Sequence, residues 1–154
     1  MIVVSDSSPL ITLDKIDCPH VIPGIFAAIT ITPEVYAEVV TSGAWATWIN
    51  AVPIEKGFHQ WHNLLNQGLG EGEASVILLG KSVNAGLVLI DDLLGRKHAR
   101  KQGLNIMGSV GILEVAFRRG IIGDLRKVYQ ALAGSGAYID PSILADSLLR
   151  HRVN

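Results

Sequence analysis

The amino-acid sequence predicts an α/β domain with three layers, in which helices cover both faces of a central, mainly parallel sheet. Short, almost wholly apolar blocks alternate along the chain with longer segments of helical periodicity. Strands of this kind are buried on both faces, which is typical of parallel sheets covered by helices. The chain has 154 residues, of which 49% are hydrophobic and 18% charged, so it can bury a sizeable core.

The predicted elements follow one another in regular alternation. Apolar blocks are predicted to be strands over residues 2–4, 28–31, 87–90 and 105–107. Helical periodicity predicts helices over residues 9–13, from 33 onwards, and over 44–51, 58–66, 72–84, 92–102, 110–119, 124–133 and 141–150. Because no repeat or linker interrupts this order, residues 1–154 are expected to form one domain.

Local signals mark the starts of three helices. Ser7 or Ser8 is the expected cap of the first helix, with Pro9 at its first position. Thr32 is expected to cap the helix that follows the second strand, and Ser109 the helix over residues 110–119.

Composition excludes several classes of protein. The formal net charge is −1, so binding to nucleic acid would need a local basic patch. Cys18 is the only cysteine, which rules out an intrachain disulfide and favours a reducing compartment. The sequence has neither an apolar run of about 18 residues nor the pattern of a signal peptide. The protein is therefore expected to be cytoplasmic.

Acidic residues stand where two predicted strands end. Asp6 follows the first strand, and Asp91 and Asp92 follow the third. The carboxyl ends of parallel strands share one edge of the sheet, which is where ligands bind. Taken singly, each site is explained slightly better by an aspartate that assists the cap of the next helix.

Two glutamates lie near the starts of helices. Glu38 neighbours Val35 and Val39 on its helix and so lies at the border of the buried stripe, although an exposed flank would also suit it. Glu73 is followed at helical spacing by apolar or small residues and is expected to point inward, whereas Glu71 has more mixed neighbours. Grouped carboxylates repel one another unless a cation neutralises them. Oxygen-only ligands predict Mg²⁺ or Mn²⁺.

Four segments, in this order, resemble the motifs of PIN-domain ribonucleases: VVSDSSPLITL, PEVYAEV, GEGEASVILLG and LVLIDDLLGRKHA. The family includes the VapC-type toxins and a group of uncharacterised PIN-like proteins, and the resemblance covers nearly the full chain. It implies a PIN-like fold and a hydroxyl residue close behind the first aspartate. Ser7 or Ser8 matches that residue, and Ser8 is assigned to substrate binding.

The resemblance also assigns the acids. Asp6 matches the aspartate after the first strand, and Glu38 the glutamate on the helix after the second. Glu73 stands where the family usually has a third aspartate. Asp91 and Asp92 are adjacent, whereas the toxins commonly have a hydroxyl residue followed two places later by an acid. The resemblance implies that these five residues are catalytic and hold the metal.

A basic segment follows the adjacent aspartates. Arg96 and Arg100 are four residues apart, as are Lys97 and Lys101, so they form two stripes on one helix. A solvated face explains such a run, but beside an acidic cleft Arg96, Lys97 and Arg100 are candidates to hold the phosphates of a nucleic acid.

The resemblance implies a Mg²⁺- or Mn²⁺-dependent RNA endonuclease, in which the ion lowers the pKa of a water that attacks phosphorus. If the protein is a toxin, its partner is a small antitoxin that covers the groove. The alternative is a non-catalytic PIN-like module that binds nucleic acid or protein. A phosphatase of haloacid-dehalogenase type fits less well, because Ser8 stands where that chemistry needs a second aspartate.

The low charged fraction also predicts a homodimer. The 18% of charged residues is below the roughly 25% usual for soluble domains, so apolar surface is expected to remain for a partner to cover. The predicted helices that carry Trp45, Trp48 and Trp61 are the expected interface, because aromatic residues are enriched at interfaces.

Overall fold

The computed structural model describes residues 1–137 and 139–153, which form five strands and nine helices. In chain order these are β1 (Val3–Ser5), α1 (Ser7–Lys15), α2 (Val21–Phe26), β2 (Ile29–Ile31), α3 (Pro33–Ser42), β3 (Ile49–Ala51), α4 (Phe58–Asn66), α5 (Glu71–Ser82), β4 (Leu87–Leu89), α6 (Leu93–Lys101), β5 (Ile106–Met107), α7 (Ser109–Arg118), α8 (Leu125–Ala133) and α9 (Pro141–Arg150). All strand pairs are parallel, in the order β3-β2-β1-β4-β5. The predicted fold class is confirmed.

The order of the strands creates a switch point in the middle of the sheet. From β1 the chain builds outwards through β2 to β3, and it then crosses over to add β4 and β5 on the other side of β1. In the register of β1 and β4, Val3 pairs with Leu87 and Ser5 with Leu89. In open parallel sheets, the ligand crevice lies at the carboxyl ends of the two strands where the winding reverses.

The core lies between the sheet and two groups of helices. In one group, α7 packs against α1, α2 and α8, and α8 packs against α9. In the other, α5 packs against α4 and α6, while α3 contacts both α1 and α5. Val4, Val88 and Ile31 in the central strands are fully buried, as expected for a sheet covered on both faces. Within the described ranges, no helix is long and apolar enough to cross a membrane.

The helix predicted over residues 44–51 is wrong. Its second half is instead the edge strand β3, which pairs with β2 and is joined to it by the Ile29 N–H bond to the Trp48 carbonyl, at 3.1 Å. Of the three residues of β3 only Ile49 is a typical strand former, so pairing with β2, rather than local propensity, overrides the helical spacing of the apolar residues. Trp45 and Trp48 therefore do not lie on a helix. Helix α2 was not expected, because it contains Pro23 and Gly24.

The start of α1 differs from the predicted one. The helix begins at Ser7 with Asp6 as its N-cap, so Ser7 and Ser8 lie inside the helix and Pro9 is its third residue. The chain turns from β1 into the helix without an intervening loop. A proline is tolerated there, because the first N–H groups of a helix have no partner within the helix.

Two other predicted caps are tested by the structure. Thr32 caps α3 as expected, and its hydroxyl accepts a hydrogen bond from the Val35 N–H at 3.2 Å. Ser109 is the first residue of α7 rather than its cap, which is Gly108. The N–H of Ser109 is satisfied from outside the helix by Asp91, so the helix has no need of a capping hydroxyl of its own.

The end of α3 gives a prediction about stability. Gly43 follows the helix with φ +82°, and a β-carbon there would meet no other atom within 4 Å. We expect Gly43→Ala to lower the free energy of unfolding by about 1 kcal/mol, because L-residues are strained in this conformation. Gly123→Ala is the matched control, since that position is equally open but lacks a positive φ. Urea unfolding of both variants measures the difference, and equal stabilities would contradict the assignment of the cost to backbone strain.

Candidate metal and substrate site

The switch point brings the ends of β1 and β4 together. The N–H of Asp6 donates to the Leu89 carbonyl at 2.8 Å, so the residue after β1 is tied to the last residue of β4. Asp91 follows β4 by two residues and reaches the same edge of the sheet. A cleft of about 1210 Å³ opens there. Its acidic lining residues are Asp6, Glu73, Asp91, Asp92, Glu114 and Asp140. Its basic lining residues are Lys15, Arg96, Arg100 and Arg150.

Asp6 is the buried carboxylate of this cleft, with 3% of its surface exposed. Burial first, and then the negative charge of Glu73, raise its pKa from 3.8 to about 7. The backbone N–H of Ser7 lowers the pKa, while Glu38 and Asp91 raise it. Within the described chain its side chain makes no cap hydrogen bond to α1, so capping does not explain this aspartate.

Glu38 approaches Asp6 from α3, although it does not line the cleft itself. Its Oε2 accepts a hydrogen bond from the Ser7 hydroxyl. Its Oε1 lies 2.8 Å, and Asp6 Oδ1 3.6 Å, from the point where a β-carbon on Gly72 would be. The two carboxylates therefore converge on the bare backbone of Gly72, where a side chain would collide with Glu38.

Glu73 lies in the first turn of α5 and is half-buried in the cleft wall. Its Oε2 lies 2.6 Å from the point where a β-carbon on Gly70, the N-cap, would be. The carboxylate thus folds back over the start of its helix, where the helix dipole favours a negative charge. Glu71 is exposed and does not line the cleft, in agreement with the expected difference between the two glutamates.

The adjacent aspartates have different surroundings. Asp92 is the N-cap of α6, and its Oδ2 accepts from the Gly95 N–H at 2.7 Å. Asp91 turns towards α7, where its Oδ1 accepts from the Ser109 N–H at 2.7 Å and its Oδ2 from the Ser109 hydroxyl at 2.6 Å. The Ser8 hydroxyl lies 3.4 Å from the same Oδ2. Asp91 therefore caps α7 from β4, with both of its oxygens engaged.

The structure separates the two basic stripes of α6. Arg96 and Arg100 line the cleft together with Ser8, whereas Lys97 is exposed outside it. Arg96 Nη1 and Asp91 Oδ1 lie 2.5 and 2.8 Å from the point where a β-carbon on Gly108 would be. Arg96 thus lies beside the acidic end of the cleft. Lys97 is explained as a solvated surface residue.

Several lining residues were not singled out in the sequence. Glu114 Oε2 accepts from Arg150 Nη2 at 2.8 Å, and this ion pair between α7 and α9 forms part of the cleft wall. Glu114 is the one acid in α7, a largely apolar helix, which is a signal that could have drawn attention to it. Lys15 and Asp140 had no comparable signal, because charged residues near helix ends are common.

The donor chemistry of this edge fits a hard divalent cation. Asp6, Glu38 and Glu73 offer carboxylate oxygens, and their mutual repulsion is relieved by a positive charge. In the described part of the chain, however, no three histidine, cysteine, aspartate or glutamate side chains are gathered closely enough to hold one ion. A bound ion would have to draw the carboxylates together, and the sequence-based assignment of ligands stays a prediction.

Comparisons with known proteins identify the family. The profile of a family described as a PIN domain matches residues 2–152. A structural relative is a PilT N-terminus domain protein from the hyperthermophilic archaeon Sulfolobus solfataricus P2, with 15% sequence identity, a TM-score of 0.46, and coverage of 91% of this chain and 98% of that one. No curated protein is significantly similar to the chain. PIN domains are commonly nucleases and typically use divalent metals. Because the profile spans almost the whole sequence, this chain belongs to the PIN-domain family.

Proposed function

We propose that this protein is a Mg²⁺- or Mn²⁺-dependent RNA endonuclease. The observation that carries the proposal is Asp6, a buried carboxylate whose pKa is raised to about 7 by burial and by neighbouring acids. Such a group, at the switch point of a parallel sheet and in an open cleft, is typical of a functional site rather than of a structural ion pair. The family of the chain supports the same conclusion.

In this proposal the residues of the cleft, together with Glu38, have different roles in phosphodiester hydrolysis. Asp6, Glu38 and Glu73 would hold the cation, with Asp91 and Asp92 at the border of the site. When bound, the cation supplies Lewis acidity and charge neutralisation for attack on phosphorus. Because these carboxylates repel one another, the site favours binding of a cation over binding of an anion.

Arg96 and Arg100 bind the substrate in this proposal. Both line the cleft on the side of α6, and guanidinium groups recognise phosphate through paired hydrogen bonds. They would hold the phosphates that flank the scissile bond, while the Ser8 hydroxyl contacts the substrate from α1. Lys97 is exposed and does not line the cleft, so we expect it to add only general electrostatic attraction.

A second candidate is a non-catalytic module that binds RNA or protein. One observation favours it: both oxygens of Asp91 accept hydrogen bonds from Ser109, so the cap of α7 already explains this acid without a ligand. An antitoxin partner and a homodimer remain further proposals. Of the three tryptophans expected at a dimer interface, Trp45 is exposed, whereas Trp48 and Trp61 are half-buried against the core.

Cleavage of RNA distinguishes these two functions. We expect the pure protein to cleave mixed single-stranded RNAs in Mg²⁺ or Mn²⁺ and not in chelator. Asp6→Asn should lower the rate at least about a hundredfold, because it removes a charged ligand at the reacting centre. Glu71→Gln is the matched control, an acid two residues before Glu73 that lies outside the cleft, and its rate should stay within about twofold. Cleavage that survives chelator, or that Asp6→Asn retains, would contradict the proposal.

The pKa of Asp6 predicts how stability depends on pH without metal. The folded-state pKa, about 7, lies above the ordinary value of 3.8, so the folded protein binds this proton more tightly than the unfolded chain does. The free energy of unfolding therefore falls as pH rises between these two values. Between about pH 5 and pH 8, we expect wild type to lose about 2–3 kcal/mol more stability than Asp6→Asn. Urea unfolding in chelator across this range measures both proteins. Parallel pH profiles would show that Asp6 ionises normally.

A further inference from the structure

A chain of hydrogen bonds connects α3 to α5 beneath the acidic site. It begins at the N-terminus of α3, where Thr32 Oγ1 accepts from the Val35 N–H at 3.2 Å. Thr32 Oγ1 lies 2.7 Å from Ser75 Oγ on α5. The Ser75 hydroxyl donates to the carbonyl of Gly72 at 2.7 Å, in the first turn of the same helix. Two side chains thus join the start of one helix to the start of another.

The donor and the acceptor of each bond in this chain of hydrogen bonds follow from the number of hydrogens available. A serine hydroxyl has one hydrogen, and that of Ser75 is given to Gly72. Thr32 must therefore donate to Ser75, and its own oxygen accepts from Val35. Thr32 and Ser75 are each 0% exposed, so water cannot replace either partner. A buried hydroxyl without a partner is costly, which makes the two side chains hold each other in place.

Each end of this chain of hydrogen bonds lies close in sequence to a carboxylate of the site. Thr32 caps the helix that carries Glu38, and Gly72 is the residue before Glu73. Glu38 Oε1 lies 2.8 Å from the point where a β-carbon on Gly72 would be. A displacement of α3 relative to α5 would therefore change the distance of Glu38 from the backbone at Gly72 and from Asp6.

We propose that Thr32 and Ser75 are positioning residues of the metal site. Neither hydroxyl lines the cleft, and each acts by fixing the separation between Glu38 and Glu73. The proposal rests on the proposed function, because it concerns the geometry of the carboxylates that would hold the ion. Supporting hydrogen bonds of this kind matter when ligands come from different elements, since displacements well under an ångström weaken a metal site.

Two variants and two matched controls test this role. Ser75→Ala and Thr32→Val each remove one hydroxyl, and Ser75→Ala leaves the cap of α3 intact, so it carries the test if Thr32→Val does not fold. Ser82→Ala is the control on α5, because Ser82 makes the same type of bond to the carbonyl three residues before it, Leu79, at 3.0 Å. Thr41→Val is the control on α3.

Calorimetry with Mn²⁺ alone and RNA cleavage at saturating Mn²⁺ give two independent measurements. We expect Ser75→Ala and Thr32→Val to bind Mn²⁺ roughly tenfold more weakly. They should also lower kcat about tenfold with little change in KM, because the substrate contacts on α6 are intact. Thr32→Ser keeps the hydroxyl and should restore both values to within about twofold, and the two controls should resemble wild type.

The outcomes separate the positioning role from the proposed function. If wild type binds Mn²⁺ and cleaves RNA, and the two variants do so equally well while melting at lower temperature, the hydroxyl chain is merely structural and the positioning role is overturned. If Thr32→Ser behaves like Thr32→Val, the hydroxyl is not the cause and the role is overturned as well. A wild type that neither binds Mn²⁺ nor cleaves RNA overturns the proposed function, and the positioning role with it.

Discussion

The parallel pairing of β1 with β4 is the constraint on which the site depends. These strands are adjacent in the sheet but separated in sequence by two strands and five helices of the described chain. Their register, completed by the bond from the Asp6 N–H to the Leu89 carbonyl, brings both carboxyl ends to one point. Helices α1, α6 and α7 begin at this edge, so their first turns supply the walls of the cleft.

This arrangement concentrates negative charge around one buried carboxylate, that of Asp6. Asp6 is buried among carboxylates, and the rise of its pKa to about 7 shows that its ionised form is disfavoured. Hydrogen-bond donors partly offset the repulsion between these carboxylates. Ser7 donates to Glu38, and Ser109 donates twice to Asp91. Among the described residues, the charged groups that act on the pKa of Asp6 are the acids Glu73, Glu38 and Asp91. Local interactions that conflict with stability are expected at a functional site rather than in a scaffold.

Much of the fold could be predicted from the sequence, because it is encoded in local patterns. Apolar blocks gave four of the strands to within a residue or two, and the cap and proline at Thr32 gave the start of α3. The edge strand β3 could not be predicted in this way, because residues 44–51 have apolar spacing that also suits a helix. Only pairing with β2, a contact between distant residues, decides between the two structures.

The sequence pointed to some of the residues that line the candidate cleft, but not to their contacts. Strand ends and helical spacing pointed to Asp6, Glu73 and Asp91, which all line the cleft. The different roles of Asp91 and Asp92 depend on where β4 ends and on the approach of α7, which local sequence does not specify. The bond from Ser7 to Glu38 and the hydroxyl chain from Thr32 to Gly72 join separate elements, so neither leaves a local pattern.

The central claim is that the buried carboxylates form a cation site. It is tested most directly by thermal melts with chelator and with Mn²⁺ on wild type, Asp6→Asn and Asp92→Asn. Asp92 serves as the comparison because its side chain caps α6, a role that asparagine also fills. If the claim holds, Mn²⁺ raises the melting temperature of wild type strongly, that of Asp92→Asn nearly as much, and that of Asp6→Asn little. An equal rise for wild type and Asp6→Asn would show that Asp6 is not a ligand and would contradict the account.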